Sequence, residues 1–106
     1  YYMLTGRFPF EAETVVELCA LHLHKVPDPP SVRLGKTIHP ALEELVLRCL
    51  AKRPDDRPSS ARVLLEELER VKQQPGMGRW TRAMAEEWWT LRGAEVSKRS
   101  PDQRRR

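Results

Sequence analysis

The sequence predicts an all-α chain. Three observations lead there: apolar residues recur at spacings of three and four in four separate windows, helix-capping and helix-breaking residues bound those windows, and no stretch alternates as a strand would. At 106 residues the chain is long enough for one small unit with one core and too short for two.

Residues 1–5 read as the end of a helix, closed by Thr5-Gly6, where glycine is free to take positive φ. With Tyr1 in place of an initiator methionine, the expectation is a fragment of a longer protein. Arg7-Phe8-Pro9-Phe10 follows as a loop with two aromatic anchors. Residues 11–24 carry Ala12, Val15, Val16, Cys19 and Leu23 on one stripe, with Glu11, Glu13 and Glu17 toward the start, where the helix dipole favours acids. The expectation is one helix burying that stripe. From 26 to 39 the pattern lapses, and Pro27-Asp28-Pro29-Pro30-Ser31 predicts a long non-helical connection.

Pro40 suits the first position of the next helix, where its missing donor costs nothing. Leu42, Leu45, Val46, Cys49 and Leu50 then trace an apolar face over 40–51, with Glu44 and Arg48 paired on the outer side. Pro54 closes that helix and Pro58 precedes the next, which Ser59 or Ser60 caps. Arg57 lies between the two prolines, and so short a turn directs it back against protein. Ala61, Leu64, Leu65, Leu68 and Val71 mark a third stripe over 60–72. Residues 73–78 break it as a Gly- and Pro-containing linker.

Residues 79–92 resume a helical pattern with Trp80, Met84, Trp88 and Leu91 on one face. That much apolar surface needs cover, either by docking back on the rest of the chain or by a partner. Residues 93–106 are polar and basic and read as a disordered tail.

The net charge of +4 resides wholly in residues 98–106, which hold five basic side chains and one acid, while the first 97 residues balance. A solvated basic terminus explains this, and nucleic-acid binding through the tail ranks last among the possible functions. Cys19 and Cys49 lie in apolar patterns without paired spacing, predicting buried thiols in a reducing, cytoplasmic setting. No run reaches the roughly eighteen apolar residues of a membrane span.

No constellation for catalysis emerges. His22 and His24 are two apart and point to different faces, so with His39 remote they predict no metal site. Ser59 and Ser60 lack a local base, Asp55 and Asp56 are adjacent and solvated, and Gly76-Met77-Gly78 is a flexible linker rather than a phosphate loop.

Two blocks carry a resemblance: Tyr2-Met3-Leu4-Thr5-Gly6-Arg7-Phe8-Pro9-Phe10, and Val46-Leu47-Arg48-Cys49-Leu50-Ala51-Lys52-Arg53-Pro54-Asp55-Asp56-Arg57-Pro58-Ser59-Ser60-Ala61. Together they resemble the C-terminal part of the large lobe of a eukaryotic-like Ser/Thr protein kinase of bacterial type, over residues 1–72. The resemblance implies the last helices of that lobe, to which this chain adds an amphipathic helix and the basic tail. It also implies that Arg57 pairs with the glutamate of the Ala-Pro-Glu motif closing the activation segment, which lies outside these residues. Where the family usually has an acidic or amide residue after the lysine, this chain has Arg53. Arg7, Phe8, Pro9 and Phe10 would face substrates or regulators.

The Gly-rich loop, the strand lysine, the His-Arg-Asp loop and Asp-Phe-Gly do not occur here. The resemblance therefore implies no catalytic, cofactor or metal residue in this piece, with ATP and Mg bound by the parent kinase. The runner-up is a stand-alone helical interaction module that binds a protein through its tryptophan face.

Overall fold

A computed structural model describes residues 1–97, and the basic tail from Lys98 onward lies outside the described residues. Among the described residues there are helices and turns but no strand. The helices are α1 (Tyr2–Thr5), α2 (Val15–His24), α3 (Pro30–Leu34), α4 (Pro40–Cys49), α5 (Ala61–Lys72) and α6 (Arg82–Ser97), with a 3₁₀ turn at Pro54–Asp56 between α4 and α5.

Helix α1 stops where expected, at Gly6 with φ 70°, whose amide donates to the Tyr2 carbonyl. Helix α2 starts later than the sequence suggested. Thr14 adopts extended backbone and its hydroxyl accepts from Glu17 N at 3.2 Å, so the cap falls at 14 and Glu11 to Glu13 stay outside.

The connection from 26 to 39 is not wholly irregular, because Pro30 initiates the short helix α3. A proline is unsuited to a helix interior but well suited to its first turn, a distinction that a run of prolines obscures. Gly35 ends α3 at φ 71°. The Ser31 amide donates to the Glu43 carboxylate at 2.7 Å, tying α3 to the first turn of α4. The Tyr1 hydroxyl donates to the Asp28 carbonyl at 2.8 Å, and α1 packs on α3.

The second packed pair is α4 against α5. His39 caps α4, its Nδ1 accepting from Ala41 N at 3.2 Å, and Pro40 takes the first position as expected. Ser60, not Ser59, caps α5 by accepting from Val63 N at 3.2 Å. Arg48 does not pair with Glu44 one turn away. It reaches across to the Glu67 carboxylate on α5, fastening the two helices on their solvent side.

The core is small. Among the described residues, Phe10, Leu45 and Val71 are its buried large apolar side chains, joined by Pro27 and Pro30. Several predicted stripes face outward instead. On α2, Val15 is 77% exposed, Val16 81%, and Cys19 and Leu23 are exposed, while Leu18 and Leu21 turn inward. Cys49 is half-buried, so neither thiol is sealed in a core. On α5, Leu65 and Leu68 are exposed, and Val71 alone of the predicted stripe is buried. Periodicity identifies an apolar face correctly but cannot say whether the covering surface lies within the same 106 residues.

Helix α6 also departs from expectation. It begins at Arg82, after Thr81 caps it by accepting from Met84 N at 3.2 Å, and continues through Gly93 to Ser97. The residues after Gly93 include Ala94 and Glu95, which are good helix formers, so the helix outlasts the polar composition that suggested disorder. Trp80, Met84, Trp88 and Leu91 remain exposed, and α6 forms no packed pair like those of α1 with α3 and α4 with α5. The 73–78 linker meets the start of α4 where His39 Nε2 lies 3.0 Å from the Pro75 carbonyl.

Candidate functional site

The turn between α4 and α5 forms the first candidate. Helix α4 ends at Cys49, the chain passes through Ala51 and the 3₁₀ turn, and Arg57 resumes extended backbone at φ −88° and ψ 163°. Its Nε donates to the Ala51 carbonyl at 2.8 Å, so the guanidinium is anchored across the turn that holds it. Arg57 lines a cavity of about 250 Å³ with Cys49, Pro58, Ser60, Ala61 and Leu64.

The expected burial is not found: Arg57 is exposed. No carboxylate lies within ion-pair distance of it among the described residues, and Asp55 and Asp56 face solvent. An anchored guanidinium whose terminal nitrogens have no partner among the described residues, on the wall of a cavity, can receive a carboxylate as a bidentate partner.

The second candidate is the loop before α2, whose four members separate in role. Phe10 is buried, with its ring edge-on to His22 at 5.0 Å between centroids. Phe8 is exposed and leans on Tyr2 at 4.9 Å. Pro9 is half-buried, and Arg7 is exposed and pairs with Glu11 at 3.0 Å. Phe10 is therefore an anchor, whereas Arg7 and Phe8 are available to another molecule.

Two basic residues that sequence reasoning passed over position this loop. Arg33 on α3 donates to the Phe8 carbonyl at 3.3 Å and lies 3.6 Å from Glu11 and 3.8 Å from Asp28. Its side chain is only 18% exposed, and its buried Nε has no hydrogen-bond partner among the described residues. The Arg7 hydrogen bond, reinforced by the charges of Arg7 and Arg33, holds the Glu11 carboxyl below its ordinary value.

Lys52 is the other. Its ammonium donates to the His22 carbonyl at 2.8 Å and the Leu21 carbonyl at 3.4 Å, and sits 4.7 Å over the Phe10 ring. A cation on the last carbonyls of α2 satisfies orphan acceptors and complements the helix dipole. No local spacing signals either residue, because their partners lie 25 and 30 positions away.

The third candidate is the tryptophan face. A surface groove is lined by Trp80, Met84, Glu87, Trp88, Leu91 and Arg92, all from α6 and the residues just before it. Trp88 and Trp89 meet edge-to-face at 4.9 Å.

No family model matches the chain. Curated proteins do. The serine/threonine-protein kinase pkn3 of Myxococcus xanthus is 43% identical over 72 residues, covering 67% of this chain and 13% of that kinase. A probable serine/threonine-protein kinase of Clostridium acetobutylicum is 39% identical over 72 residues, 68% of this chain and 11% of the relative. The serine/threonine-protein kinase PknB of Mycolicibacterium smegmatis is 38% identical over 71 residues, again 67% of this chain and 11% of the relative. The chain thus spans only about an eighth of the length of the relatives it matches. Over about 70 residues it is a homologue of bacterial serine/threonine protein kinases and is consistent with a fragment of one.

Proposed function

We propose that this chain is the C-terminal portion of the large lobe of a Ser/Thr protein kinase whose remaining residues bind ATP and Mg and transfer phosphate to protein Ser or Thr. In this reading the piece is cytoplasmic and catalytically inactive alone. It supports the activation segment through Arg57 and offers Arg7 and Phe8 to substrates or regulators. The observation that carries the reading is the apolar surface left uncovered on α1, α2 and α5, with Met3 98% exposed, in a chain matching only about an eighth of its relatives' length. Faces of this size are covered in a working protein. The missing cover is assigned to the rest of the kinase.

The test is to extend the reading frame upstream of Tyr1. An in-frame His-Arg-Asp and Asp-Phe-Gly, and ATP-dependent phosphorylation of Ser or Thr by the extended protein, are the expected results. An extended frame without those motifs overturns the proposal. The second reading, an interaction module, is favoured by one observation, the exposed face of Trp80, Met84, Trp88 and Leu91. It gains ground if the 106 residues alone fold cooperatively and capture a defined protein through that face.

A further inference from the structure

We propose that α6 pairs with α6 of a second copy of this chain, in parallel, through the tryptophan face. This inference does not depend on the kinase reading. The geometry begins with the groove lined by Trp80, Met84, Glu87, Trp88, Leu91 and Arg92, to which no other helix contributes among the described residues. In a heptad frame, Met84 and Leu91 take d positions and Trp88 the a position between them, giving three consecutive core layers on a continuous helix. Glu87 then falls at g and Arg92 at the following e. Those positions flank the seam on opposite sides, so the two side chains cannot meet within one helix.

Across a parallel pair, g of one helix faces the next e of the other, five residues on. Glu87 and Arg92 are five residues apart and opposite in charge. A two-fold axis therefore makes the contact twice, Glu87 to Arg92 of the second copy and the reverse. Neither side chain has an ion-pair partner among the described residues. An isologous surface must be self-complementary, and this one is, in both its apolar layers and its flanking charges.

The seam is short because Thr81 and Glu95 occupy the neighbouring a positions. Scaling whole side-chain areas by the observed exposures, Trp80, Met84, Trp88 and Leu91 offer on the order of 500 Å² per copy, below the roughly 800 Å² per partner of a standard interface. The dimer is consequently weak and concentration-dependent.

Sedimentation equilibrium of the 106-residue chain from about 10 to about 500 µM tests this, with far-UV circular dichroism confirming equal helicity in every variant. Glu87→Arg alone and Arg92→Glu alone each weaken self-association roughly tenfold, since each replaces two attractive pairs by two repulsive ones. An equimolar mixture of the two variants restores association, because each then supplies the charge the other lacks. A monomer throughout that range, association indifferent to both swaps and to Trp88→Ala, or a mixture no stronger than its components overturns the proposal.

Discussion

Replacing Lys52 by methionine tests how α2 is attached to the rest of the chain. Methionine keeps most of the apolar stem and removes the ammonium, so the change isolates the charge-assisted contacts. Those are the bonds to the His22 and Leu21 carbonyls and the contact with the Phe10 ring. Counting only the shorter bond, to the His22 carbonyl, a hydrogen bond from a charged donor contributes about 1.5 kcal/mol and an exposed cation–π contact about 0.5 kcal/mol, giving about 2 kcal/mol. Native-state hydrogen exchange reads the result directly. If the last turn of α2 opens locally, protection of its amides falls about thirtyfold in Lys52→Met, because 1.4 kcal/mol is a factor of ten. Lys52→Arg, which keeps the charge, recovers much of that protection. Equal protection in Lys52→Met and the parent chain would refute the reasoning, and would mean that Leu18, Leu21 and Phe10 hold α2 by packing alone.

Three further outcomes follow from the same contacts. The Glu11 carboxyl, held low first by the Arg7 hydrogen bond, titrates below the ordinary carboxylate range by NMR. Its tie to Arg7 and Arg33 is complete above that ordinary range and is lost as pH falls through the lowered value. Arg7→Ala moves the titration back up. Leu45→Ala, at a residue only 5% exposed, costs about 3 kcal/mol and strips exchange protection from α4 and α5 together. Arg57→Ala removes one exposed hydrogen bond and changes the isolated chain by about 1 kcal/mol or less. In the extended kinase the same change sharply lowers activity, and equal activity there would remove Arg57 from its proposed role.

The helices were legible in the sequence because their signals are local. Pro40, Ser60 and Gly6 each mark a boundary by their own local chemistry: Pro40 takes the first position of α4, the Ser60 hydroxyl caps α5, and Gly6 closes α1. The error at 30–34 came from reading Pro30 as a breaker when it stands at a first turn. Burial was less legible, since Val15, Val16, Leu65 and Leu68 form real apolar faces whose covering surface is not supplied by these residues. Arg57 illustrates the same limit: its position between two prolines suggested burial, yet the residue is exposed and only its Nε is tied down, to the Ala51 carbonyl. Arg33 and Lys52 were illegible for a different reason. Each acts through backbone carbonyls far along the chain, and a carbonyl carries no side-chain signature to search for.

That these residues are part of a larger folded body is most directly tested by calorimetry of the 106-residue chain alone. With Phe10, Leu45 and Val71 as its buried large apolar residues, the chain melts in a broad, low transition and binds an apolar-surface dye before heating. A sharp, two-state transition above the 45–65 °C range of ordinary domains, without dye binding, would show that the exposed faces need no cover and would contradict the account.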